Sequence, residues 1–234
     1  MTERTKDILR GAIREFIDTG VPVTSNGLYE RYNFGIKPAM IRRELSELDE
    51  AEFLSQTHPS GGRVPTDKAY RFFVSELLAC DRSLSKLRRT HDSLIQFFTA
   101  GSMRQFADAL SEHLKLLSVV YDPETDFFYS GLHDLFRGID ADRKRDFTTI
   151  IEDFEQLPSR LMQNPSWWQN RRTWPQVFVG PSPITQSRHL AVVAEKVAAG
   201  EREVLIMAIG PRRMDYRKPI DLFRCIEESI NNTL

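Results

Sequence analysis

Lys37, Arg42, Arg43 and Arg63 are the residues of this chain best placed for chemistry, and that chemistry is recognition rather than bond making. Ala39, Met40 and Ser46 lie among and just beyond the first three. At about 100° per residue, Ala39, Arg43 and Ser46 share one side of a helix, flanked by Met40, Arg42 and Glu47. Ile41, Leu45 and Leu48 fall on the other side and must face a core. A helix of this kind can lie in a major groove. Small residues permit close approach, and an arginine fork can bridge O6 and N7 of a guanine with two hydrogen bonds. Catalytic patterns are missing. His58, His91, His113, His133 and His189 show no His-x-x-x-His spacing, and no cysteine or carboxylate cluster accompanies them. His133-Asp134 stands alone and reads as a loop or cap pair. Gly61-Gly62 lacks the Lys-Ser/Thr of a phosphate loop, and no Gly-x-Ser-x-Gly or paired-carboxylate pattern occurs. Neither an enzyme, a metal nor a cofactor is expected.

The elements that must position those cations follow from periodicity. Thr5 to Thr19 predicts a helix with Ile8, Leu9, Ala12, Ile13, Phe16 and Ile17 on one face, ended by Gly20 and Pro22. Thr24 or Ser25 can cap a second helix reaching Tyr32, with Leu28 and Tyr29 turned inward. Asn33-Phe34-Gly35 predicts a tight turn whose phenylalanine plugs a gap between helices. Pro38 suits the first turn of a third helix, running to about Glu50. The strand-like Phe53-Leu54-Ser55-Gln56 and the turn from His58 to Arg63 complete the order of a winged helix, with Arg63 carried on a glycine hinge. Helical patterns then run from Thr66, from Leu84 to Phe98 and from Met103 to Leu117. Ser118–Tyr121 and Thr125–Tyr129 predict a hairpin, and a helix is expected over about Ala141–Leu157. Pro158 to Pro175 reads as irregular, its tryptophans covering a core edge. Strands are predicted at Gln176–Val179, Leu190–Lys196 and Glu203–Ile209, and a last helix at about Pro219–Ile230, with Asp215 as its cap. Strands after a helical region argue for an α+β second domain. The expected division is a winged helix-turn-helix at 1–75, a helical connector at 76–116 and a small α+β domain at 117–234.

Composition bounds the function. The chain has 234 residues, 41% hydrophobic and 28% charged, as in a soluble globular protein. No apolar run approaches the roughly 18 residues that span a bilayer, and no signal peptide is expected. Its two cysteines, Cys80 and Cys225, are far apart, and a cytoplasmic address is the simplest fit. Net charge is −1, and residues 1–75 hold eleven basic and eleven acidic side chains, so any electrostatic footprint must be local. Two other readings stay open: a protein-interaction module, and a regulator holding a metabolite near Trp167, Trp168 and Trp174.

Three segments resemble the HrcA heat-inducible transcription repressors of bacteria. The first is the N-terminal region, with Gly20-Val21-Pro22-Val23, Tyr32-Asn33-Phe34-Gly35-Ile36, Pro38-Ala39-Met40-Ile41-Arg42 and Ser60-Gly61-Gly62-Arg63-Val64-Pro65-Thr66-Asp67-Lys68-Ala69-Tyr70-Arg71-Phe72. The second is Tyr129-Ser130-Gly131-Leu132-His133-Asp134-Leu135, and the third Ile209-Gly210-Pro211-Arg212-Arg213-Met214-Asp215-Tyr216. The resemblance implies a repressor of chaperone operons that binds double-stranded DNA at an inverted-repeat operator as a homodimer. It further implies a GAF-like body with an inserted dimerisation element, and the GroEL chaperonin as a partner. Carried onto this sequence, Ala39, Met40, Arg42 and Arg43 approach bases and phosphates, and Arg63 reaches a minor groove or phosphate. Thr24, Ser25 and Lys37 become phosphate contacts at helix starts. Lys37, Met40 and Arg43 stand where the family usually has Ser, Thr and Asn, which predicts a different operator. Gly62 in place of Ala predicts a looser wing. The family has many more residues between Leu117 and Tyr129, so a reduced GAF-like body without the inserted element is expected.

Overall fold

Apolar residues at helical spacing near the N-terminus form α1 (Glu3–Thr19), which buries Ile8, Leu9, Ala12 and Ile13. Thr2 caps its start, and Gly20, at φ 69°, ends it in the left-handed region that glycine adopts most readily. The structure is a computed structural model that describes residues 1–56, 58, 61–80, 92–124, 126–139, 144–170, 173–199 and 202–231. Within it the chain forms two compact units, Met1–Ala79 and Cys80–Leu234.

In the first unit α1 is followed by α2 (Ser25–Arg31), α3 (Pro38–Glu50), the strands β1 (Leu54–Gln56) and β2 (Arg63–Pro65), and α4 (Asp67–Ala79). The two strands pair antiparallel, Leu54 opposite Pro65 and Gln56 opposite Arg63. Gly11 makes room for the plug predicted at Phe34: a Cβ there would sit 2.9 Å from the Phe34 ring. Tyr29, expected to face inward, is 51% exposed. A helix of seven residues has few inward positions; Leu28 fills that place, and its neighbour points about 100° away. Residues 57, 59 and 60 of the expected wing lie outside the described residues.

The second unit is an antiparallel five-stranded sheet in the order β4-β3-β7-β6-β5, built from β3 (Leu117–Asp122), β4 (Asp126–Ser130), β5 (Gln176–Val179), β6 (Leu190–Ala199) and β7 (Arg202–Pro211). Alternation sends Leu117, Val119, Val192, Ala194, Leu205 and Met207 to one face. That face packs against Leu135 of α7 (Leu132–Gly138), Leu157 and Leu161 of α8 (Lys144–Gln163), and Trp167 and Trp168 of α9 (Ser166–Gln169). The opposite face is left for α6 (Met103–Leu114), which packs on β3 and β4, and α10 (Arg217–Asn231), which packs on β6. α5 (Asp92–Thr99) packs on α6 and α10, so these two helices of the expected connector are built into the second unit. The helical pattern predicted before Asp92 and the start predicted at Ala141 lie outside the described residues, as does Thr125.

Two of the sequence segments quoted above owe their glycines to close packing on Leu116. A Cβ on Gly131 would fall 2.4 Å from the Leu116 carbonyl oxygen, and one on Gly210 would fall 2.6 Å from its side chain. Gly131 also has φ 90°. Asp215 accepts from the Arg217 N–H at 3.1 Å and caps α10 as predicted. The stretch from Pro158 departs from expectation. α8 continues through the proline to Gln163, and both Trp167 and Trp168 are core residues rather than edge cover.

Candidate nucleic-acid interface

Pro38 at the first helical position starts α3 without using its missing N–H, and Ile41, Leu45 and Leu48, each at most 1% exposed, fix its rotation. The far side is therefore turned to solvent. Ala39, Met40, Arg42, Arg43 and Glu47 are all exposed there, and Met40 shows 43% of its surface, unusual for so apolar a side chain. Lys37 is exposed immediately before the helix. Among the described residues neither Lys37 nor Arg42 meets a carboxylate. Arg43 pairs with Glu47 at 3.2 Å, an exposed contact between neighbouring turns. Such a pair contributes roughly 0.3–0.5 kcal/mol, too little to hold the guanidinium against a better partner.

Beside the helix lies an open cleft of about 350 Å³, lined among others by Thr24, Ser25, Asn26, Arg42, Gln56 and Gly61. The start of α2, α3 and both strands of the hairpin meet in it. The Thr24 hydroxyl is already engaged, accepting the Gly27 N–H at 3.1 Å as the N-cap of α2. Ser25, Asn26 and Gln56 line the cleft, and of these the sequence pattern points only to Ser25. Asn26 and Gln56 could be found only through the fold, because no spacing links them to α3.

Arg63 also lines the cleft, and it is hydrogen-bonded to Ser46 within the fold. The Arg63 side chain is 13% exposed. Its Nε donates to Asp49 at 3.3 Å and a terminal nitrogen donates to the Ser46 hydroxyl at 3.1 Å. Ser46 in turn donates to the Arg42 carbonyl. The Arg63 backbone exchanges hydrogen bonds with Val23, its N–H donating at 2.9 Å and its carbonyl accepting at 2.8 Å. Gly62 is not a loose hinge: a Cβ there would lie 2.5 Å from the Pro22 carbonyl oxygen, so its glycine is demanded by close backbone approach. Arg63 ties the loop before α2, the hairpin and the back half of α3 together. Lys37, Ala39, Met40, Arg42 and Arg43 share the exposed side, Thr24 and Ser25 border the cleft, and Ser46 and Arg63 hold each other.

The family model described as the HrcA protein C terminal domain matches residues 68–220. The chain belongs to the HrcA family. Heat-inducible transcription repressors HrcA from Staphylococcus aureus strains JH9 and Newman are each 33% identical to it over 127 residues. Those alignments cover 53% of this chain and 39% of the relative, so the chain spans well under half the length of the HrcA relatives it matches. A solved structure described as a hypothetical protein at 2.2 Å resolution superposes with a TM-score of 0.78, covering 99% of this chain and 98% of that one. At 14% identity that likeness shows a shared α+β fold. No helix among the described residues is long and apolar enough to cross a membrane.

Proposed function

We propose that this HrcA-family chain is a sequence-specific DNA-binding transcriptional repressor. Its first unit is read as a winged helix-turn-helix and its second as a reduced GAF-like body. It performs no covalent chemistry. Two copies set their α3 helices into successive major grooves of an inverted-repeat operator, and occupancy excludes polymerase. The observation that carries this reading is the exposed side of α3, where a small residue, an arginine that meets no carboxylate among the described residues and a weakly paired one stand together beside a polar cleft. Arg43 and Arg42 supply base and phosphate contacts, Ala39 permits close approach, and Met40 offers an apolar contact of the kind a thymine methyl accepts. Lys37, Ser25 and Thr24 lie where a phosphate backbone would pass. The sheet order, with helices packed on both faces, supports the GAF-like reading.

The test is a mobility-shift series on an operator selected from random duplexes with the full chain. Arg43→Ala is expected to weaken binding about tenfold or more and to relax preference at one base position, since a good bidentate contact contributes about 1–3 kcal/mol of discrimination. Lys37→Ala is expected to weaken all duplexes alike and to flatten the plot of log affinity against log salt by about 0.9. If neither substitution changes affinity or selectivity, α3 is not the reading surface.

A further inference from the structure

The two outer strands of the five-stranded sheet treat their open edges differently. β5 is four residues long and lies between Pro175 and Gly180-Pro181, which stop a neighbouring chain from extending it. β4 carries no proline. It reads Asp126-Phe127-Phe128-Tyr129-Ser130 and pairs with β3 in unbroken register, with no bulge to twist it away. The Phe127 N–H donates to the Asp126 carboxylate at 2.8 Å instead of to β3. Phe127 and, by alternation, Tyr129 are thus the residues whose backbone groups face outward. Their side chains lead into an apolar patch. Tyr129 is 39% exposed and meets Phe154 edge-on at 4.8 Å and Phe127 at 6.0 Å, while Ile151 on the same helix as Phe154 is 46% exposed. Among the described residues nothing pairs with this edge.

We infer that β4 pairs antiparallel with β4 of a second copy about a two-fold axis at Phe128, joining two sheets into one. This names the surface for the two-copy binding proposed above; it rests on that reading for its purpose and on the strand for its geometry. The sequence is complementary to itself in this arrangement. Phe127 faces Tyr129 of the second copy and exchanges both backbone hydrogen bonds with it, and the same pair recurs on the other side of the axis. Each is an aromatic cross-strand pair. Asp126 falls opposite Ser130, so no like charges of the strand itself face each other. The Ser130 end of the strand also has a cation at hand. In this pairing exposed Lys115, one residue before the Leu116 carbonyl that Gly131 abuts, is assigned as the partner of the second copy's Asp126. Asp126 exchanges its bond to the Phe127 N–H for this lysine.

Sedimentation equilibrium of the full chain tests the inference. The wild type is expected to show a concentration-dependent dimer, and Tyr129→Lys to weaken it about tenfold or more, with circular dichroism confirming an intact fold. Lys115→Glu and Asp126→Lys, both at exposed positions, are each expected to weaken the dimer, and their combination to recover most of the loss. A wild type that stays monomeric, a dimer indifferent to Tyr129→Lys, or a charge exchange without recovery overturns the pairing. Binding to a single half-site duplex is measured on the same proteins. Tyr129→Lys should bind it like the wild type. A dimer that responds as expected while no variant binds DNA supports the edge pairing and rejects the DNA reading instead.

Discussion

Arg63 occupies a position where charge suggests a contact with DNA and packing gives it another task. Its guanidinium is mostly buried against Asp49 and Ser46, and its backbone is locked to Val23. A phosphate would have to displace two partners to reach it. These contacts tie the back half of α3 to the hairpin. Arg63→Ala is expected to lower the stability of the first unit by about 1–2 kcal/mol in urea unfolding, the scale of losing hydrogen bonds to a partly exposed charge. Operator affinity should fall as α3 loses its support, but the salt dependence should keep its slope. A slope shallower by about 0.9 would mean that Arg63 does neutralise a phosphate. Nothing in the local sequence distinguishes these roles, because Asp49 lies fourteen residues away and meets Arg63 only after the hairpin folds back.

Pro158 makes the same point for an element. A proline in a helix interior removes one hydrogen bond and crowds the preceding turn, a penalty of about 3 kcal/mol relative to alanine. α8 passes through it because Ile150, Leu157 and Leu161 are buried on the sheet, and burial of each such side chain contributes about 1.5–3 kcal/mol. Pro158→Ala is therefore expected to stabilise the second unit by about 1–3 kcal/mol, read as a higher melting temperature at unchanged helical signal. A lower melting temperature would mean that the ring itself is needed for packing. Much else was legible in the chain. α3 runs from Pro38 to Glu50 as its apolar stripe and initial proline predict, and β5 falls on Gln176–Val179. Strong local signals of period and capping found these elements. What escaped was decided by tertiary contact: the buried Trp167 and Trp168, the outward turn of Tyr29, and the cleft residues Asn26 and Gln56. Gly62 is a further case, since its need for glycine comes from Pro22, forty residues earlier in the chain.

For the whole molecule, near-neutral net charge hides an acid whose burial couples folding to pH. Glu195 points from β6 to the side of the sheet covered by α10 and is 3% exposed. Desolvation pushes its carboxyl up to about 8; Glu227 adds to the rise, while the Lys196 N–H and Arg224 oppose it. In the unfolded chain the same group titrates near the ordinary 4.5. Between those values the folded state keeps a proton that the unfolded state has released, so unfolding becomes easier as pH rises. Stability conferred by the protonated form is complete below about 4.5 and is lost as pH climbs toward 8, at about 1.4 kcal/mol per pH unit. Glu195 lies in the second unit, so its effect belongs there. Calorimetry of the full chain from mildly acidic to mildly alkaline buffer should show the transition of the second unit moving down with pH. Glu195→Gln, which keeps the shape and cannot ionise, should remove most of that slope and make the protein more stable than wild type at the alkaline end. Parallel profiles for the two proteins would show that Glu195 is ionised in the fold, with its charge met by Arg224.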